Sequence, residues 1–261
     1  MVQIELTNIK QRAPFSGDAE AAIAALQDRL ARLQLSQIAH RKKAIIMFEG
    51  WTGSNKKKAL KKLVGAFDPL HVRVIAAGGD DADDDRHWLA PFWSRIPSAG
   101  ETAIFYRSWY RRIVKERVLG AMDDKRWARA CDEINEFESQ QHDHDTMIAK
   151  LFFHITAEQQ AANLRVRQED PWLRHLNDHQ PLTELSQWDR TIEVLQDFFA
   201  QTDMRWAPWI IIDDTDETAG CIDALTIIAD LMEKSLPAEP PAMDEKILQF
   251  HQLKTNEQSR A

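Results

Sequence analysis

Five short apolar runs, separated by stretches of helical periodicity, limit this chain to very few folds. They are Lys43–Gly50, His71–Ala77, Thr102–Tyr106, Met147–Ile155 and Pro208–Asp214. A run that stays apolar without alternating reads as a strand buried on both faces, which is the habit of a parallel sheet. Between the runs, apolar residues recur every three to four positions. Ile23, Leu26, Leu30 and Leu33 mark a helix over Glu20–Ser36, and a lysine-rich helix is expected over Lys56–Phe67. Trp127, Ile134 and Phe137 mark another, Trp188, Ile192, Leu195 and Phe199 a further one, and Ile222–Met232 the last. Thr156 and Gln159 have the spacing of a capping box. Strand alternating with helix predicts an α/β fold in three layers, a parallel sheet covered on both faces.

The 261 residues suit a single α/β domain. A helical extension over 1–40 is expected to precede a main domain over 41–236. The proline-rich PAEPPAMDEK opens a tail over 237–261. No apolar run approaches the roughly 18 residues of a membrane span. MVQIELTNIKQR lacks the pattern of a signal peptide. Cys131 and Cys221, the only cysteines, have no metal-type spacing and are expected to be buried. A cytoplasmic, reducing setting follows, with no membrane partner. The net charge of −8 speaks against a general nucleic-acid binder, though local basic clusters still suit an anionic ligand.

In open α/β sheets, ligands bind beyond the carboxyl ends of the strands. FEGWTGSNKKKALKKL follows the first strand there, with Gly50 and Lys56 spaced as in a phosphate-binding loop, G-x-x-x-x-G-K. Such a loop cradles phosphate oxygens with backbone N–H groups and a helix N-terminus, and its lysine adds a point charge. Asn55 stands at the second glycine position. Asparagine is the commonest non-glycine visitor to left-handed backbone, so the turn is expected to survive there. Lys57 takes the place of the usual hydroxyl residue. Taken alone, the segment also reads as a glycine turn before a basic, solvated helix.

The third run changes that balance. Ile104–Gly120, IFYRSWYRRIVKERVLG, resembles the family-2 polyphosphate kinase signature I-F-D-R-S-W-Y-x-R-x-x-x-E-R-V-x-G. Phe92, Trp93 and Pro97 fit the family's F-W-x-x-x-P segment. Phe48, Glu49, Gly50 and Lys56 fit its E-G-x-D-x-x-G-K-G loop, and DEINEFE, KLFFHIT, QEDPW and the late APW look like further family blocks. The resemblance runs in order from about Arg41 to Glu233. It implies a P-loop kinase-like fold, similar to thymidylate kinase, with a helical lid at about 160–185. It also implies dependence on Mg2+, a homo-oligomer, and transfer of a phosphoryl group between polyphosphate and a nucleoside mono- or diphosphate.

Carried over position by position, the resemblance makes Lys56 and Arg107 the catalytic cations. Gly50, Gly53, Asn55 and Lys57 would form the phosphate loop. Arg112, Arg117, Arg167 and Arg174 would be further phosphate contacts, since a guanidinium fork binds phosphate bidentately. Arg112 and Arg117 also fit a helix surface paired with Glu116. Arg165 reads as solvated helix.

The family holds its metal with one carboxylate in the loop and one at the end of the third strand. Here those positions read Thr52 and Tyr106. Trp51 replaces a polar residue, Lys57 and Lys58 replace small ones, and Asn163, His175 and Leu176 stand where the lid tends to have Arg, Trp and Lys. Substitute carboxylates are Asp80, in the Asp80–Asp85 run, and Asp213, beside Asp214, although an acidic run also reads as a solvated loop. His142 and His144 are either a chance metal pair or an exposed loop, and His154 reads as structural. Most of the nine tryptophans are expected in the core. The alternative function is a pseudokinase that binds polyphosphate or nucleotide, or pairs with an active paralogue.

Overall fold

The computed structural model describes residues 4–9, 11–76, 87–176 and 186–242. Five strands form one wholly parallel sheet: β1 (Lys43–Gly50), β2 (Val72–Ala76), β3 (Thr102–Tyr106), β4 (Thr146–His154) and β5 (Trp209–Asp213). Their order is β2-β3-β1-β4-β5, so β1 is central, pairing Phe48 with Tyr106 on one side and with Leu151 on the other. The connection leaving β1 runs toward β2 and that leaving β4 toward β5. The carboxyl end of β1 therefore opens where chain paths diverge, the place this sheet type reserves for ligands.

Helices cover both faces. On one lie α1 (Ala19–Ala39), α2 (Lys56–Val64) and, at the end of the chain order, α8 (Glu217–Ser235). They pack Leu30, Leu60, Leu63, Leu225 and Ile228 against Ile46, Phe48, Ile104, Leu151 and Phe153 of the sheet. On the other lie α4 (Tyr110–Val118), α5 (Asp124–Asp143) and α7 (Trp188–Thr202), with the short α3 (Ala90–Trp93). They cover Ile45, Met47, Phe105 and Phe152. Successive strand residues thus feed opposite cores, which explains why the runs do not alternate. Each fully buried Phe or Leu contributes about 1.5–3 kcal/mol. Phe48 and Phe153 stack with centroids 5.6 Å apart at the heart of the first core. A further helix, α6 (Ala157–Glu169), follows β4.

Caps set the helix starts. The side chains of Asp18, Asp123 and Asp216 accept from Ala21, Arg126 and Ala219 amides at α1, α5 and α8. The expected capping box at α6 is only half made. Thr156 accepts from the Gln159 amide (3.2 Å), but the Gln159 side chain donates forward to Asn163 (2.8 Å), one turn on, instead of returning to the cap. The lysine-rich helix stops at Val64, short of Phe67, and the second strand begins one residue later than expected because Pro69–His71 forms a 3-10 turn.

Both cysteines are buried. Trp172 departs from the expected tryptophan core: it is 84% exposed, just beyond α6. Its amide and that of Leu173 are held by Asp170 Oδ1, which fixes the turn but leaves the indole outside. His142 and His144 are exposed at the C-terminal end of α5. The N-terminal residues join the main body: Leu6 is buried in the core under α7, and Arg12 bonds to Asp213 and pairs with Asp223 of α8. Among the described residues, no helix is long and apolar enough to cross a membrane.

Candidate functional site

The loop after β1 is shaped by two glycines. Gly50 has φ +125°, and a Cβ there would lie 2.3 Å from the Phe153 carbonyl of β4, so only glycine lets the two strands part at this point. Gly53 has φ +94° and carries the reversal. Asn55 therefore does not visit left-handed backbone as expected. It sits at φ −86° as the N-cap of α2, because the turn is completed two residues earlier.

Lys56 opens α2 and folds its side chain back into the loop. Its ammonium donates to Gly50 O (3.0 Å), Trp51 O (2.5 Å) and Ser54 Oγ (3.2 Å), and only 1% of the residue is exposed. Arg107 follows β3 in left-handed backbone (φ +63°), its amide donating to Phe48 O of β1. A non-glycine residue held there is strained by about 1–3 kcal/mol unless its surroundings fix it. Here Glu49 does so from β1: its buried Oε1 accepts from the Ser108 amide (2.5 Å) and hydroxyl (2.7 Å). Burial raises the Glu49 carboxyl above its ordinary range, while the Ser108 bonds and the charges of Lys56 and Arg107 pull it back. The Arg107 guanidinium reaches the Thr52 hydroxyl at 3.5 Å.

The helix α6 packs on this loop. Gln160 donates to Thr52 O (2.8 Å) and Asn163 to Gly53 O (2.9 Å), with Leu164 beside Gly53. Asn163, read from the sequence as a lost cation, is thus a neutral clasp on the loop. On the opposite side, Asp214 Oδ2 accepts from the Asn55 amide (2.5 Å), while its buried Oδ1 meets no partner and faces Gly220 of α8. Burial pushes the Asp214 carboxyl up to about 7. Trp51 points into the second core, stacked on Trp188 with centroids 3.9 Å apart, and donates to His154 Nδ1 (3.1 Å). Burial holds His154 neutral, with its pKa down to about 4. That arrangement suits a structural His154.

A cavity of about 100 Å³ opens beside the loop. Glu49, Gly50, Arg107, Arg111 and Lys115 lie toward its polar side, and Trp51, Phe152, Phe198, Phe199 and Trp209 form an aromatic wall. Pockets for drug-sized ligands run to about 300–1,000 Å³, so this one suits a single ring system.

The fold brings Gly50, Gly53, Asn55, Lys56 and Arg107 together. Lys57 is exposed in the first turn of α2, and Lys58 pairs with Glu217. Arg112 and Arg117 are turned elsewhere. Arg112 pairs with Glu116 (2.9 Å) in a groove between α4 and α5; Arg117 bonds to Met122 O and Asp124 and lies over the Trp127 ring. Arg111 and Lys115 take the cavity face instead. They follow Arg107 at intervals of four, a spacing visible in the sequence but passed over. Arg167, one turn beyond Asn163, shares the side of α6 that meets the loop, and Arg174 is exposed in the following turn. Asp213 is committed to two amides, Arg12 (2.6 Å) and Thr215 (3.1 Å). Burial would raise its pKa, but those bonds win and lower it. Asp80 lies outside the described residues.

This geometry has close counterparts. The family profile for polyphosphate kinase 2 matches residues 15–240. A polyphosphate:AMP phosphotransferase of Acinetobacter johnsonii is 32% identical over 188 residues, 72% of this chain and 39% of that one. A polyphosphate:AMP phosphotransferase of Pseudomonas aeruginosa is 29% identical over 213 residues, 81% of this chain and 43% of that one. The chain thus spans about two fifths of the length of these two curated relatives. The solved structure of polyphosphate kinase 2 from Arthrobacter aurescens TC1 superposes with a TM-score of 0.84 at 24% identity, over 95% of this chain and 93% of that one, and shares the fold. The family profile covers most of the chain, and the chain belongs to the polyphosphate kinase 2 family.

Proposed function

We propose that this chain binds polyphosphate and a nucleotide at the loop between β1 and α2, as a polyphosphate:nucleotide phosphotransferase. One observation carries the reading: Lys56, at the start of α2, and Arg107, just after β3, flank the Tyr106 ring at the carboxyl edge of the sheet, and the Lys56 ammonium bonds to Gly50 O and Trp51 O, whose residues line an aromatic-walled cavity together with Arg107. Phosphoryl transfer asks little covalent chemistry of a protein, and mostly positioning and charge cancellation. Lys56 and Arg107 meet the charge of the transferred group. Arg111 and Lys115 suit the phosphate of a nucleoside mono- or diphosphate whose base rests on Trp51, Phe152 and Phe199. In the step, a terminal P–O bond of polyphosphate breaks as a phosphate oxygen of the nucleotide forms a new one, and the shortened chain leaves with the electron pair. The names of the relatives, which transfer phosphate between polyphosphate and AMP, support the substrate class.

The test is incubation of purified protein with polyphosphate and each of AMP, ADP, GMP and GDP, with Mg2+ or Mn2+. Nucleotide product above a Lys56→Ala control is expected. A second reading, binding without turnover or pairing with an active paralogue, is favoured by Thr52 and Tyr106 at the positions where the family carries carboxylates. It expects salt-sensitive polyphosphate binding and no product. Failure to bind either ligand excludes both readings.

A further inference from the structure

Family members generally depend on Mg2+. Magnesium demands oxygen ligands in near-octahedral array and is held by one or two carboxylates together with substrate phosphates. The two positions that would supply those carboxylates here do not fit the ion. The Thr52 hydroxyl is neutral, and the guanidinium of Arg107 approaches it to 3.5 Å. The Tyr106 ring has Lys56 Nζ 5.7 Å and Arg107 Cζ 5.9 Å from its centroid, both within cation–π range. Two positive charges therefore flank the place where a divalent ion would have to enter.

Among the described residues, the carboxylates that remain nearby are engaged with the protein's own donors. Glu49 Oε1 takes the amide and hydroxyl of Ser108, Asp214 Oδ2 takes the Asn55 amide, and Asp213 takes the amides of Arg12 and Thr215. Burial favours the neutral form of Glu49 and Asp214, which weakens each as a ligand for a hard cation. Among the described residues, no three His, Cys, Asp or Glu side chains gather closely enough to hold a metal. Cationic side chains, by contrast, line the site: Lys56 and Arg107 at the loop, and Arg111 and Lys115 along the cavity.

We infer that this site binds its phosphate chain through protein cations alone, with Thr52 and Tyr106 having converted a metal position into part of a lysine–arginine cluster. The inference rests on the proposed phosphate-binding reading. It predicts an inverted metal response. In a site completed by Mg2+, chelation weakens binding. In a cation-only site, Mg2+ competes with Lys56 and Arg107 for the same phosphate oxygens, and chelation leaves binding unchanged or strengthens it.

The experiment is titration of the full chain with polyphosphate of defined length, by calorimetry, in EDTA and then in excess Mg2+. The expected result is an affinity in EDTA equal to or higher than that in Mg2+, lowered about tenfold or more by Lys56→Ala. An affinity that falls tenfold or more on chelation overturns the inference and leaves the phosphate-binding reading intact. No binding in either condition overturns that reading and the inference with it. A second measurement follows Mn2+ by electron paramagnetic resonance without polyphosphate. No bound Mn2+ is expected in the native chain, and one bound ion in a folded Thr52→Asp, Tyr106→Asp double variant. Stoichiometric Mn2+ at the native site overturns the inference even if that variant fails to fold.

Discussion

Two lysines among the described residues are almost wholly buried, and they are used in different ways. Lys150, on β4, is 0% exposed and donates to Glu138 Oε2 (3.0 Å) and Thr202 O (2.7 Å) between the rings of Tyr110 and Trp209. Glu138 is itself buried and receives Trp109 Nε1 and the Tyr110 hydroxyl. Lys56 donates instead to carbonyls of the loop it serves, with Glu49 and Asp214 near enough to feel its charge. Burial of a charge therefore does not by itself mark a working site. A lysine matched to a carboxylate inside the core ties helix to strand; a lysine held by loop dipoles at a sheet edge can turn to a ligand.

Five substitutions break or sharpen this contrast. Glu138→Ala should have the largest effect. It strands Lys150 in the core, where removing one partner of a buried pair costs about 3–5 kcal/mol. Urea unfolding should show that loss, and a loss below about 1 kcal/mol would mean that the pair is not structural.

Next comes the pH response of the carboxylate behind the loop. Asp214 titrates near 7 in the fold and at about 3.9 when unfolded, so the folded state holds the extra proton and stability falls as pH rises between those values. His154 does the reverse. Its pKa is about 4 folded and about 6.5 unfolded, so stability rises with pH across that window. Each effect is on the order of a few kcal/mol, and they oppose. Asp214→Asn removes the falling component. Its melting temperature should climb more steeply between about pH 4 and 6.5 than that of the native chain. Parallel profiles would show that Asp214 does not titrate there.

Lys56→Ala removes hydrogen bonds from a charged donor, each worth about 1.5–3 kcal/mol. Polyphosphate affinity should fall roughly 10- to 150-fold, while the unfolding midpoint moves less than in Glu138→Ala. Equal losses of stability in the two variants would erase the distinction between the lysines. The smallest effect belongs to α6. Gln160→Ala and Asn163→Ala each forfeit one bond to a loop carbonyl, about 0.5–1.5 kcal/mol. Faster hydrogen exchange over α6, with the rest of the chain unchanged, is the expected signature.

The layers of this fold were legible because they follow from the period of the apolar residues. β1 reads KAIIMFEG, and six of its eight residues are buried, as a strand between two helical layers requires. The amphipathic run from Trp188 to Phe199 likewise reappears as α7. Site residues were legible only where local chain geometry carries them. Gly50 and Lys56 are fixed by a short turn, and Arg107 by the strand end before it. For Arg112 and Arg117 the sequence left a phosphate contact and a paired helix surface both open, because their direction depends on where α4 starts and how it leans on α5, and single-residue chemistry does not reveal that. Gln160 and Asn163 come from an element far along the chain, and nothing in their local sequence announces the loop carbonyls they touch; Asp214 was placed on the right sheet edge by its strand, but not on the Asn55 amide.

The sequence by itself thus determined the parallel sheet, the phosphate-type loop and the absence of carboxylates at positions 52 and 106. These depend on periodicity, spacing and side-chain identity, all of which are local. Only the tertiary structure decided what fills those two positions electrostatically. Tyr106 comes to lie between Lys56 and Arg107 because β1 and β3 pair in register, and that register is set by the buried faces of the whole sheet.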